Sequence, residues 1–142
     1  MKITIKAIVK ADTQKAWDCY TLPEHIKNWN FASDDWHCPS AENDLQPGGR
    51  YKARMEAKDG SFGFDFKATY DEIINKKKIV YTLDDGRKVV TDFENQDGET
   101  KVTTVFDAES ENSIEMQREG WQVILNNFKK HTEANQTKKG RN

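Results

Sequence analysis

The chain has 142 residues, enough for one domain with a proper core and too few for two. Hydrophobic residues make up 35% and charged residues 32%, and 22 basic side chains nearly cancel 24 acidic ones to leave a net charge of −2. That balance excludes general nucleic-acid binding and the lopsided charge of a disordered chain. Four Trp, four Tyr and seven Phe supply large apolar surfaces where aliphatic residues are few. No run approaches the roughly 20 apolar residues of a membrane span, and the N-terminus alternates where a signal peptide would be continuously apolar. Two cysteines, Cys19 and Cys38, make no disulfide scaffold, so free thiols and a cytoplasmic location are expected.

In chain order, Ile3, Ile5, Ala7 and Val9 alternate with Lys2, Lys6 and Lys10, which predicts a half-buried first strand. Asp12 or Thr13 caps a short helix carrying Ala16, Trp17, Cys19 and Tyr20, and Pro23 with Glu24 opens a second. The stretch from Trp29 to Pro39 reads as a loop that mixes polar residues with Trp29, Phe31 and Trp36. Next, Tyr51, Ala53, Met55 and Ala57 oppose Lys52, Arg54, Glu56 and Lys58. A clearer run sets Phe62, Phe64, Phe66, Ala68 and Tyr70 against Gly63, Asp65, Lys67, Thr69 and Asp71. Shorter alternations follow through Ile79, Tyr81 and Leu83, then Val89, Thr91 and Phe93, then Val102, Thr104 and Phe106.

The breaks between these runs are turns. Asp59-Gly60, Asp85-Gly86 and Asp97-Gly98 suit the positive φ of tight hairpins, and Asn75-Lys76-Lys77-Lys78 makes a longer connection. Consecutive hairpins predict an antiparallel meander from about residue 50 to 107 with one apolar and one wet face. A last helix is expected from about Ser113 to Ala134, with Ile114, Trp121, Ile124, Leu125 and Phe128 on one stripe. The domain therefore spans residues 1–134, and 135–142 are expected to form a flexible tail. A sheet of about six strands at ~4.8 Å spacing is roughly 25–30 Å wide, whereas one helix covers about 10–12 Å. The sheet must curl around the helix, and side chains, the short helices or a ligand must fill what remains.

Chemical signatures are sparse. Nucleophile-elbow, phosphate-loop and dinucleotide patterns are missing, and Asp65, Asp92 and Glu94 alternate with inward residues, so they face water. His37 beside Cys38, near Asp34 and Asp35, lacks the second ligand pair of a zinc site. His25 adds a nitrogen only if the fold brings it close, and His131 reads as a helix-end surface residue. No catalytic residue, metal or cofactor is assigned.

Leu22-Pro23-Glu24-His25-Ile26-Lys27-Asn28-Trp29, followed by Asp44-Leu45-Gln46-Pro47-Gly48-Gly49-Arg50-Tyr51, carries a family resemblance. The chain resembles the homologues of the activator of the 90-kDa heat-shock chaperone ATPase, within the START/birch-pollen-allergen (SRPBCC) superfamily. Leu22, Asn30 and Gln46 depart from the family pattern; Asp59-Gly60, Tyr70-Asp71-Glu72-Ile73 and Gly120-Trp121 follow it. The match covers about residues 2–133. It implies a helix-grip fold of class α+β, in which a curved antiparallel sheet wraps a long C-terminal helix and two short helices follow the first strand.

The resemblance also implies an apolar cavity between sheet and helix, for a small apolar or amphipathic molecule. Its expected lining is Met55, Phe64, Phe66, Tyr70, Tyr81, Phe93, Trp121, Leu125 and Phe128, with Trp29, Phe31 and Trp36 near the mouth. The same residues would also make an ordinary packed core. Two alternatives stand beside ligand binding: a co-chaperone that stimulates the chaperone ATPase, and a cyclase or hydrolase acting on a cavity-bound substrate. A monomer or homodimer without nucleic-acid partner or membrane span is expected.

Overall fold

Alternation becomes a single antiparallel sheet in the computed structural model, which describes residues 1–140, with side chains as far as Asn135. The elements are β1 (Lys2–Val9), α1 (Thr13–Thr21), α2 (Pro23–Ile26), β2 (Trp36–Asn43), β3 (Arg50–Ala57), β4 (Gly63–Ile74), β5 (Lys78–Leu83), β6 (Lys88–Gln96), β7 (Glu99–Asp107) and α3 (Ile114–Gly140). The order across the sheet is β1-β7-β6-β5-β4-β3-β2, so the first two strands in sequence form its two edges. The sheet curls into a half-barrel around α3, the helix-grip arrangement. None of the described helices is long and apolar enough to cross a membrane.

Register lines the inward side chains up in rows. Ile3 faces Phe106, which faces Val89, which faces Tyr81, which faces Tyr70. A second row runs Ile5, Thr104, Thr91 and Ile79. The Thr91 and Thr104 hydroxyls, both buried, satisfy each other at 3.0 Å. The Asp-Gly turns have the backbone their residues favour; Asp97 and Gly98 take φ values of 53° and 89°, the paired positive angles of a tight hairpin. At the turn before β3, a side chain on Gly49 would run into the Asp44 carbonyl.

The helices follow their sequence signals. Asp12 caps α1 by accepting from the Lys15 backbone N–H at 2.8 Å, and Ser113 does the same for Met116 at the start of α3. Gln117 is buried and fully bonded. Its Oε1 accepts from the Glu109 N–H, while its Nε2 donates to the Glu109 and Asn112 carbonyls, pinning the β7–α3 loop. The helix runs on to Gly140, past the expected stop at Ala134; the flexible tail expected over 135–142 falls mostly on side chains outside the described residues.

Two expectations are corrected. The sheet has seven strands against about six expected, because edge strand β2, Trp36–Asn43, takes in the end of the Trp29–Pro39 stretch that reads as a loop. It escapes detection because its burial does not alternate and Pro39 interrupts it at a register shift between His37 and Ser40. An edge tolerates both irregularities. Phe62 and Phe64 are not buried: they are 64% and 43% exposed, although Phe64 keeps the inward side of β4, opposite Met55. The helix reaches Phe66 through Trp121, but toward the start of β4 the Trp36 ring is the ring that stands beside Phe64 and Phe62 among the described residues, at 5.9 Å from each.

Burial predicts the energetics. Phe128 is fully buried against Tyr20 and Trp29, so Phe128→Ala is expected to cost about 3–5 kcal/mol in urea denaturation, and Phe62→Ala less than about 0.5 kcal/mol. Burial also raises all four tyrosines, Tyr20, Tyr51, Tyr70 and Tyr81, above their ordinary value of 10.0. The folded chain keeps protons that the unfolded chain releases near pH 10, so this stabilisation is complete below that pH and falls as pH rises above it. Tyrosinate absorbance should therefore appear in one cooperative step together with loss of circular dichroism.

Candidate binding cavity

A cavity of about 450 Å³ lies between the half-barrel and α3. Its floor comes from β3, β4 and β5, which turn Tyr51, Met55, Phe66, Tyr70 and Tyr81 inward; its roof is Trp121, Ile124 and Leu125 of α3. Tyr20 of α1 with Trp29 and Asn30, just after α2, closes one end. At the other lie Arg87, Glu109, Asn112 and Met116, the last 61% exposed.

Aromatic packing sets the shape. Trp121 stacks on Phe106 with centroids 3.9 Å apart and planes 10° from parallel, which fixes the roof to β7. Tyr51 stacks on Tyr81 at 5.9 Å, and Tyr70 meets Tyr81 edge-on at the same distance. Such pairs are worth about 0.5–1.5 kcal/mol beyond the area they bury.

The phenols differ in how far they are satisfied. The Tyr51 hydroxyl accepts from Asn30 Nδ2 at 2.9 Å, and the Tyr70 hydroxyl donates to Asn43 Oδ1 at 2.5 Å. Asn43 in turn donates to the Thr21 carbonyl, tying α1, β2 and β4 together. The Tyr20 hydroxyl lies 3.4 Å from Thr91 Oγ1. Tyr81 makes no hydrogen bond among the described residues, yet no sealed side-chain polar atom there lacks a partner. Its hydroxyl therefore opens onto the cavity. Burial foremost, then the neighbouring phenols, hold Tyr51 and Tyr81 well above the ordinary tyrosine value. These groups are neutral hydrogen-bonding hydroxyls at physiological pH and are not bases.

Eight of the twelve residues read from the sequence line this space: Trp29, Met55, Phe64, Phe66, Tyr70, Tyr81, Trp121 and Leu125. The other four lie outside it. Phe93 points inward but is covered by Trp17 and Tyr20; Phe128 is sealed by Tyr20 and Trp29. Trp36 sits on edge strand β2 against Phe62 and Phe64. Phe31 is half-buried, and its carbonyl accepts from Asn127 of α3. The sequence reading missed Tyr20, Asn30, Arg87 and Gln117 as lining. Tyr20 was detectable on the apolar face of α1, whereas Arg87 follows a hairpin turn and gives no inward signal.

His37 and Cys38 occupy successive positions of β2, so their side chains leave opposite faces. His37 stands 3.8 Å from Glu56, and the Cys38 thiol, pushed up by burial, donates to the Ser40 carbonyl at 3.3 Å. Among the described residues the cavity lining includes neither an imidazole nor a thiol.

Comparison with known proteins agrees with the fold. No curated protein matches the sequence. A solution structure of an AHSA1-like protein from Aeromonas hydrophila is 41% identical, with 94% of this chain and 93% of that one covered at a TM-score of 0.89. A Cytophaga hutchinsonii protein is 45% identical over 94% and 93% of the two chains, with a TM-score of 0.81. A Nitrosomonas europaea protein at 16% identity and TM-score 0.82, covering 96% and 97%, shares the fold. The family described as Activator of Hsp90 ATPase homolog 1-like protein matches residues 10–133, and the chain belongs to that family.

Proposed function

We propose that this chain binds a small amphipathic molecule, held in the cavity between the half-barrel and α3. The observation that carries this reading is the Tyr81 hydroxyl, buried among aromatic rings and opening onto the cavity without a hydrogen-bond partner among the described residues. A volume of about 450 Å³ falls within the roughly 300–1,000 Å³ of small-molecule sites. The chemistry calls for a flat or flexible apolar body whose buried polar atom bonds to Tyr81. A second polar group suits the mouth, where the Arg87 guanidinium stands with its Nε on Asp85 at 2.8 Å. The ionisable lining consists of the four tyrosines, Arg87 and Glu109; this set favours holding a molecule over transferring protons to or from it.

A second reading comes from the family description, which names activation of the Hsp90 ATPase. Trp36, Phe62 and Phe64 form an apolar ridge beside the cavity, a surface suited to a protein partner. On the first reading, adding the protein to the chaperone leaves ATP turnover unchanged; a clear stimulation would favour the second.

Gly120 separates binding from folding. It lies in α3 and lines the cavity, and an added Cβ would meet nothing within 4 Å. Gly120→Ala should raise stability by about 0.5–1 kcal/mol through helix propensity. Gly120→Leu should keep the fold and take cavity volume, weakening a bound ligand roughly tenfold or more, about 1.4 kcal/mol. Native mass spectrometry of the purified protein, followed by titration with fatty acids, sterols and aromatic acids read by Trp fluorescence, checks this. Absence of saturable binding across the series, or binding indifferent to Gly120→Leu, overturns the proposal.

A further inference from the structure

Away from the cavity, the fold gathers three groups that the sequence keeps far apart. Cys19 comes from α1, His25 from α2 and His131 from the C-terminal part of α3. The Cys19 sulfur and one nitrogen from each imidazole all lie within 4.8 Å of one another. His25 Nδ1 and His131 Nε2 are 2.8 Å apart, with ring planes at 61°. Cys19 is fully buried, whereas both rings are half-buried and reach toward solvent.

The 2.8 Å contact holds one shared proton: one ring donates N–H and the other presents its lone pair. A metal ion would replace that proton at the meeting point and take a lone pair from each ring. For tetrahedral zinc, with Zn–N of about 2.0–2.1 Å and Zn–S of about 2.3 Å, neighbouring donors stand roughly 3.4–3.6 Å apart. The nitrogen pair then opens from 2.8 Å by about half an ångström, and the sulfur, within 4.8 Å of both, closes by about 1.2 Å at most. Rotamer adjustment at three helix-borne side chains supplies such movements. Lys15 is the nearby positive charge acting on both Cys19 and His131; Asp18 offsets it at Cys19. The Asn135 amide donates to the His131 carbonyl at 2.8 Å and also stands 3.3 Å from His131 Nε2, a contact the metal would displace.

We propose that Cys19, His25 and His131 form a three-ligand site for a borderline-soft divalent metal ion, Zn²⁺ in the first instance, with its fourth position open to water. A thiolate with two imidazoles is a donor set for zinc or cobalt, not for Mg²⁺ or Ca²⁺. The protons balance simply. The thiol gives up one proton to become the thiolate, while the shared imidazole proton moves to the other nitrogen of its own ring, so one proton is released per ion. Bound metal would clamp α1, α2 and α3 together. It would also stiffen the cavity end, because Trp29 Nε1 donates to the Cys19 carbonyl at 2.9 Å.

The test is a titration of the metal-free, reduced full chain with Co²⁺. One equivalent should produce the visible bands of tetrahedral cobalt and a thiolate-to-cobalt charge-transfer band, both removed by equimolar Zn²⁺. Cys19→Ser should abolish the charge-transfer band. His25→Gln and His131→Gln should each weaken binding at least tenfold, and His37→Gln should leave it unchanged. X-ray absorption of the zinc-loaded wild-type chain, which needs no variant, should show one sulfur and two imidazole scatterers. An octahedral cobalt spectrum, no saturable binding, oxygen-only scatterers, or full affinity in a folded His25→Gln/His131→Gln variant would each overturn the site.

Discussion

Seven strands at about 4.8 Å spacing make a surface roughly 30 Å across, and one helix can cover about a third of it. The rest of the structure depends on how that mismatch is resolved. α3 lies close against β1 and is locked to β7 by the Trp121–Phe106 stack. Small and medium side chains suffice there: Ile5, Ala7, Val102 and Thr104. The β3–β5 half lies farther from the helix and bears Tyr51, Phe66, Tyr70 and Tyr81, rings long enough to reach inward but not to close the gap. The cavity is the space left between an off-centre helix and a sheet too wide for it.

Phenols on that far wall reconcile two demands. A core wants apolar area, and a binding site wants a few placed polar atoms. Tyr51 and Tyr70 spend their hydroxyls on Asn30 and Asn43, which anchor the segment after α2 and strand β2. Tyr81 keeps its hydroxyl for the interior. The same ring chemistry thus holds the wall together at two positions and supplies recognition at a third.

Much of this was legible in the sequence because a half-buried strand writes its two faces into alternate residues. β1 and β3 through β7 could be read that way, and the stripe from Ile114 to Phe128 marked α3. β2 could not, since an edge strand with Pro39 and a register shift carries no periodic code. Inwardness was also legible where openness was not. Phe93 and Phe66 have the same alternation, yet Trp17 covers one and the cavity adjoins the other. The meeting of Cys19 and His25 with His131 leaves no local trace, because contacts across 106 residues are set by how helices dock and not by spacing.

The strand order carries a consequence for how the chain comes to be folded. β1 pairs along its whole length with β7, Lys2 opposite Asp107 and Val9 opposite Thr100. During synthesis β1 has no strand to pair with until β7, the last strand, has followed, and the run of hairpins β3 to β7 can assemble without it. The final closure is a long-range event of the kind that slows folding and leaves apolar edges waiting. Lys2 and Lys6 on the solvent face of that strand, with Lys10 just past its end, keep the waiting segment charged and discourage it from pairing with another copy of itself.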